Sequence, residues 1–445
     1  MRRQYFKPAG DFFAGDAMPF YHQGIFHVYY LLDQGHHSSR AGLGGHQWAH
    51  LSTTDLVHWQ QHPLAVAITE DWEGSICTGS VFYHQGRYHA FYATRKTDRT
   101  QHLSHAVSPD GVHFEKARPN PFLSPPAGFS PYHFRDPFVF ESEPGRFQML
   151  VTAMLEKPYS SGQGCLLRLS SCDLWSWQVE EPFFIPEEVI VPECPDYFFW
   201  NGYYYLLCGL NLTTRYRFSR HPFGPWVKPG VDCPGSRLEA VMKTAAFGPG
   251  RRLGVAWVGT RAGNKNDGQL QWGGQLLFRE LVQNPDGTLG TRFVPEMLPL
   301  YSGSGFPGQG PVRLSAEKGP AEVCWHPLSE NYSFRCQVIP QGKAARFGFG
   351  LRCQEKMASG CPLVFDLATS SMSLGQERLE KVALTEPFFL HILLTGDLFD
   401  VEIAGKRCLI NRCPETRGNC LLFFAEREGV SFENIEVKAF SLKEW

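Results

Sequence analysis

Aromatic and small or polar residues alternate with a period of two through most of this chain, and the spacing of an amphipathic helix is nearly absent. "FYHQGIFHVYYLLD" (20–33) and "FYHQGRYHAFYATR" (82–95) share Phe-Tyr-His-Gln-Gly and then run out into alternating stretches. Each reads as strand, tight turn and strand, with Gly24 and Gly86 free to take positive φ. Weaker copies follow at 136–154, 196–210 and 242–260, so the phrase recurs about every 60 residues. A second phrase follows several of them: "HLSTTDLVHWQQH" (50–62), "HAVSPDGVHFEKA" (105–117) and "RLSSCDLWSWQVE" (168–180). Each is a short strand ending at Ser, an Asp-centred turn, an aromatic and another strand. Repeated units of four short strands predict an all-β fold, a five-bladed β-propeller over residues 1–300. A large β-sandwich with similar hairpins is the alternative. "LYSGSGFPGQGPV" (300–312) breaks the pattern as a linker, and the alternating strands of 311–445 carry no such repeat, which predicts a C-terminal β-sandwich.

A length of 445 residues agrees with two domains. The formal charge of −2 leaves no basic footprint for nucleic acid, and no run of like charge points to a membrane surface. No stretch is apolar enough to span a bilayer, and the N-terminus lacks the apolar core of an export signal, so a cytoplasmic location is expected. The 13 cysteines are scattered without a CxxC pair. Cys353 with Cys361 and Cys408 with Cys413 lie close enough to suggest disulfides, but free thiols are expected in that compartment. The histidines of 33–50 have no regular ligand spacing, so neither a metal nor another cofactor is implied.

In a propeller the first strand of each blade lines the central channel, and polar residues at equivalent blade starts converge there. Asp16, Asp136 and Glu193 occupy such starts, in "AGDAMPF", "FRDPFVF" and "VPECPDYF". Taken singly, each could be a turn cap or a salt-bridge partner. Three at one repeat position suit glycoside hydrolysis, in which one carboxylate attacks the anomeric carbon and another serves as acid and then base. The third would stabilise positive charge on the ring, and the acid is expected to have a raised pKa. Arg135 would hold Asp136 or contact sugar hydroxyls.

With these residues in place, the sequence resembles glycoside hydrolase family 32, the invertase, inulinase and levanase group. "FRDPFVF" is similar to its Arg-Asp-Pro motif, "ECPD" (193–196) to its Glu-Cys motif, and "WAHLSTTDLVHW" (48–59) to its Trp-Gly-His stretch. "TGS" (78–80), "TQ" (100–101) and "WGGQLLFREL" (272–281) resemble further family motifs in the family's order. The resemblance implies a propeller followed by a sandwich, with Asp16 as nucleophile, Asp136 as transition-state stabiliser and Glu193 as acid/base. It implies sugar contacts from Arg135, Phe13, Trp48 and Thr78, with Asp196 a weaker candidate, and a Cys194 that tunes Glu193. The implied substrate is a small oligosaccharide.

The chain departs from the family around the nucleophile. Gly15 stands where the family has asparagine, Leu31 where it has glutamine, and Asp33 where it has asparagine. Each lost hydrogen bond to a sugar hydroxyl removes on the order of 1 kcal/mol. The loop 33–50, with Asp33, His46 and Gln47, is expected to supply other contacts at the channel mouth. A fructosyltransferase or anhydride-forming enzyme would share the same covalent intermediate. An inverting furanosidase and a carbohydrate-binding protein without turnover are further alternatives. The sandwich is expected to buttress the propeller and to offer the surface for a homo-oligomer, with Asp366, Asp397 and Asp400 solvated at its turns.

Overall fold

The computed structural model describes residues 4–156, 163–299, 310–325, 328–354 and 360–440. Residues 300–309 of the expected linker lie outside these. Strands dominate, and the architecture is a propeller followed by a sandwich. The propeller strands run as antiparallel meanders at 12–61, 73–116, 129–184, 193–219 and 240–292, and single pairings of Thr213 with Ala240 and of Gly274 with Ala14 join the last two and the first into one sheet. Their first strands are Phe12–His22, Glu73–His84, Phe129–Glu143, Glu193–Trp200 and Ala240–Ala246. These touch one another in a closed ring, the last against the first.

The repeated phrase has a local cause. Gln23 and Gly24 have φ of 47° and 82°, and Gln85 and Gly86 have 47° and 80°. Positive φ at both central residues gives the turn whose twist matches the flanking strands, and glycine takes it without a Cβ clash. In the second phrase Asp55, Asp110 and Asp173 each accept backbone N–H groups from the two residues that close the turn. The N-terminal strand Tyr5–Phe6 pairs with Leu270–Gln283, so the two ends of the propeller sequence share one sheet.

Beyond residue 310, four expected strands merge into two long ones, Tyr332–Cys353 and Cys420–Ala439. They pair along nearly their whole length, with register breaks between Gln341 and Arg346. The first half of Tyr332–Cys353 also pairs with Phe388–Thr395 and the second half with Cys361–Asp366. The sheet therefore folds over a core that includes Phe334, Phe349, Phe365 and Phe423.

The two parts are joined by apolar packing and by buried charge. Leu277 and Phe293 share a cluster with Leu393, Leu398 and Ile410. Asp400, expected to be solvated, has no exposure and accepts a hydrogen bond from the Arg279 guanidinium at 2.8 Å. Arg279 also donates to Glu239, and the Tyr5 hydroxyl donates to Asp400. Asp397 is held by Arg412, and Asp366 by Arg346 and Arg427. The sequence reading fails for Asp400, whose partner Arg279 lies on a propeller strand remote in the chain, whereas Asp366 and Asp397 stay part-exposed at strand ends. No disulfide joins the cysteines, and no helix among the described residues is long and apolar enough to cross a membrane.

Candidate active site

Every first strand of the ring breaks register at the same place. The breaks fall between Ala14 and Ala17, Ile76 and Gly79, Arg135 and Phe138, Glu193 and Asp196, and Ala240 and Lys243. Such a bulge bends the strand and re-aims the side chain it carries. Asp136, Cys194 and Val241 sit in these bulges at φ of 56°, 51° and 39°. A β-branched residue at positive φ is strained, and such strain persists only where its surroundings enforce it. Asp16, Thr78, Asp136, Cys194 and Val241 all line one cavity of about 80 Å3, together with Glu193 and Arg135.

The three acids are held differently. Asp16 is 9% exposed; its Oδ2 accepts from the Thr78 hydroxyl at 2.6 Å and its Oδ1 from the Trp257 indole at 2.8 Å. The Cys194 thiol reaches both Asp16 Oδ2, at 3.4 Å, and Asp136 Oδ2, at 3.7 Å. Asp136 Oδ2 also accepts from the Cys194 backbone N–H at 3.0 Å. Glu193 Oε1 accepts from Arg135 at 2.6 Å, while the same guanidinium stands 3.6 Å from Asp136. One sulfur and one guanidinium thus bridge the acids in pairs.

Burial raises the Asp136 carboxyl to about 6; Arg135 opposes the rise, and Glu193 and Asp16 add to it. Burial also raises the Cys194 thiol, with the neighbouring carboxylates adding to it, so it stays a protonated donor. The raised Asp136 value carries a sign. Between the ordinary aspartate value of 3.8 and about 6 the folded protein holds a proton that the unfolded chain has released, so stability falls as pH rises through that window. The difference corresponds to roughly 3 kcal/mol at pH 8. An Asp136→Asn variant is therefore expected to melt higher than the parent at pH 8 and to lose that advantage at pH 4. Equal gains at both pH values would contradict the shift.

Thr78, His46 and Arg135 reach the cavity as expected. Trp48, Gln47, Phe13 and Asp33 do not line it. Trp48 is fully buried in the core and its indole donates to the Cys77 carbonyl, so it cannot touch a ligand. Gln47 accepts the Ile68 backbone N–H. Phe13 stacks on His36, with ring centroids 4.0 Å apart. Asp33 lies behind the wall and accepts from His46 at 3.0 Å and from the His37 backbone. Asp196 is also withdrawn, bonded to Thr244.

Two residues around the cavity went unnoticed in the sequence, Trp272 in its lining and Lys243 outside it. Trp272 fills the space beside Gly15: a Cβ at residue 15 would overlap its indole ring. That contact explains the glycine before Asp16. Lys243, one residue past the last bulge, is buried and donates to the Gly79 carbonyl at 2.8 Å. Burial pulls its ammonium down, against the opposing pull of Cys194, Asp196, Asp136 and Asp16. It is near enough to Asp136 and Asp16 to interact with both, without lining the cavity. Its position in the weakest repeat copy is the one hint the sequence held.

Residues 5–218 match the model for the glycosyl hydrolases family 32 N-terminal domain. The chain belongs to glycosyl hydrolase family 32. This family 32 chain is similar to the raffinose invertase of Escherichia coli, with 28% identity over 354 residues covering 71% of each chain. Two solved structures share its fold. Sucrose-6-phosphate hydrolase from Lactobacillus gasseri has a TM-score of 0.74 at 17% identity, covering 99% of this chain and 93% of that one. A fructan 1-exohydrolase IIa variant from Cichorium intybus, in complex with 1-kestose, has a TM-score of 0.72 at 16% identity, covering 98% and 97%. Among the described residues, no three His, Cys, Asp or Glu side chains of the family 32 chain cluster as a metal site.

Proposed function

We propose that this family 32 member is a retaining, exo-acting glycoside hydrolase of β-fructofuranosides or related furanosides, taking a small oligosaccharide as substrate. Residues 1–300 form the catalytic unit and 311–445 the supporting sandwich. Asp16 attacks the anomeric carbon while Glu193 protonates the leaving oxygen, giving a glycosyl–enzyme ester. Glu193 then takes a proton from water as the ester is hydrolysed. Asp136 stabilises positive charge on the ring as it develops.

The observation that carries this reading is the convergence of the three carboxylates on one small cavity, with Cys194 bridging Asp16 and Asp136. Clustered carboxylates repel one another, and a protein that only bound sugar would gain nothing from them. The Thr78 and Trp257 donors leave one face of Asp16 towards the cavity, as a nucleophile needs. Arg135 can pass between Glu193 and a sugar hydroxyl. The cavity's size favours a single terminal sugar.

The test is the stereochemistry of hydrolysis. With an aryl β-fructofuranoside followed by proton NMR, the first product is expected to be the β-furanose, before mutarotation. The α-anomer appearing first would mean a single displacement and would remove Asp16 as nucleophile.

A further inference from the structure

The wall of the cavity facing away from Asp136 and Glu193 is basic, and neither the fold nor the three acids require it to be. It is built by the first two meanders. Arg95, near the end of the strand Arg87–Lys96, and His37 and His46, from the loop after Ile25–Gln34, all line the cavity with Trp272. Arg95 Nη1 bonds His37 Nε2 at 2.8 Å and the Leu43 carbonyl at 2.9 Å. Among the described residues no carboxylate pairs with Arg95, whereas Arg135 across the cavity has two. The His46 imidazole is matched by Asp33 at 3.0 Å, which leaves Arg95 as the uncompensated charge. His37 Nδ1 is buried without a partner. Its ring lies 4.7 Å from that of His46 and 5.1 Å from that of Trp272.

A buried donor without a partner is expensive and is usually met by a ligand or by ordered water. The neighbouring thiol shows how strong the positive field is. Burial pushes Cys77 up, yet Arg95 and His46 overcome it and bring the thiol below its ordinary value. On the same wall Leu31 offers a neutral hydroxyl no hydrogen-bonding group, and the Trp272 ring fills the space beside Gly15.

We propose that Arg95 and His37 form an oxyanion subsite, so that the terminal sugar this enzyme releases carries a phosphate or carboxylate group. This rests on the hydrolase reading above. The glycosidic carbon faces Asp16 and Glu193, and the anionic substituent points to the first two meanders. A guanidinium with open N–H groups matches either oxyanion in a two-pronged geometry.

The experiment compares methyl β-fructofuranoside with its 6-phosphate and its 6-carboxylate, at one ionic strength. Wild-type kcat/KM is expected to be at least about tenfold higher for one of the anionic forms than for the neutral one. The two anionic arms tell phosphate from carboxylate. In Arg95→Gln that preference should fall towards one, mostly through KM, and Arg95→Lys should restore part of it. Inorganic phosphate should raise the melting temperature of the wild type but not of Arg95→Gln, at matched chloride. A wild type that prefers the neutral glycoside, or a preference that survives Arg95→Gln, would overturn the subsite. Turnover of none of the three, with the Arg95-dependent phosphate shift intact, would sink the hydrolase reading and leave the subsite standing.

Discussion

Asp16→Asn is expected to lower kcat on any accepted furanoside by about 10^4-fold or more, with KM changed by less than about threefold. The substitution keeps shape and burial. Asparagine can still accept from the Trp257 indole and, by rotating its amide, keep a contact with Thr78. What it loses is the oxygen lone pair that forms the ester bond, and no neighbour can supply another. Asp136 is buried and its carboxyl is tied to the Cys194 backbone. Glu193 is tied to Arg135. Ground-state contacts to the sugar survive, so binding should change little while the covalent step disappears. Steady-state kinetics beside a melting curve would check this. Residual activity above a tenth of the parent's, with the fold intact, would mean that Asp16 is not the nucleophile.

The second large effect is on stability. Asp400→Ala removes one acceptor from a guanidinium that has no exposure and leaves Arg279 with Glu239 alone. Breaking a buried ion pair from one side costs about 3–5 kcal/mol, because the remaining charge cannot return to water. Arg279 sits on the propeller strand Leu270–Gln283 and Asp400 on the sandwich strand Leu398–Ile403, so the loss falls on the contact between them. Urea unfolding should show the drop, and active-site chemistry in the folded fraction should be spared. Replacing the whole set with apolar and neutral side chains, as Glu239→Gln, Arg279→Met and Asp400→Leu, should recover a good part of it. A single variant within about 1 kcal/mol of the parent would show that the ion pair is not what joins the two parts.

Much of this was legible because the propeller is built from local rules written several times over. Alternation marks the strands, Gln-Gly marks the repeated turn, and a Ser- or Thr-x-Asp phrase marks the third corner. The same repetition marks Asp16, Asp136 and Glu193 as residues of blade starts, and the family motifs around them supply the roles proposed for them. The five register breaks bring the acids to one point without making them identical: Asp16 and Asp136 lie in their bulges, while Glu193 stands one residue before the bulge in which Cys194 takes the place of Asp136.

Other features could not be read from neighbours in the chain. Trp48 sits in a conspicuous motif, yet its indole serves the core, since the direction a side chain takes on a strand depends on register. Asp400 looked like a turn residue because Arg279 is far away in sequence. The pairing of Gly15 with Trp272 depends on ring closure, which brings the last meander beside the first. Local periodicity therefore determined the strands, the turns and the identity of the three acids. Tertiary closure alone decided which side chains enter the cavity and which charges are left unpaired there, because those outcomes depend on contacts between meanders and not on the order of residues within one.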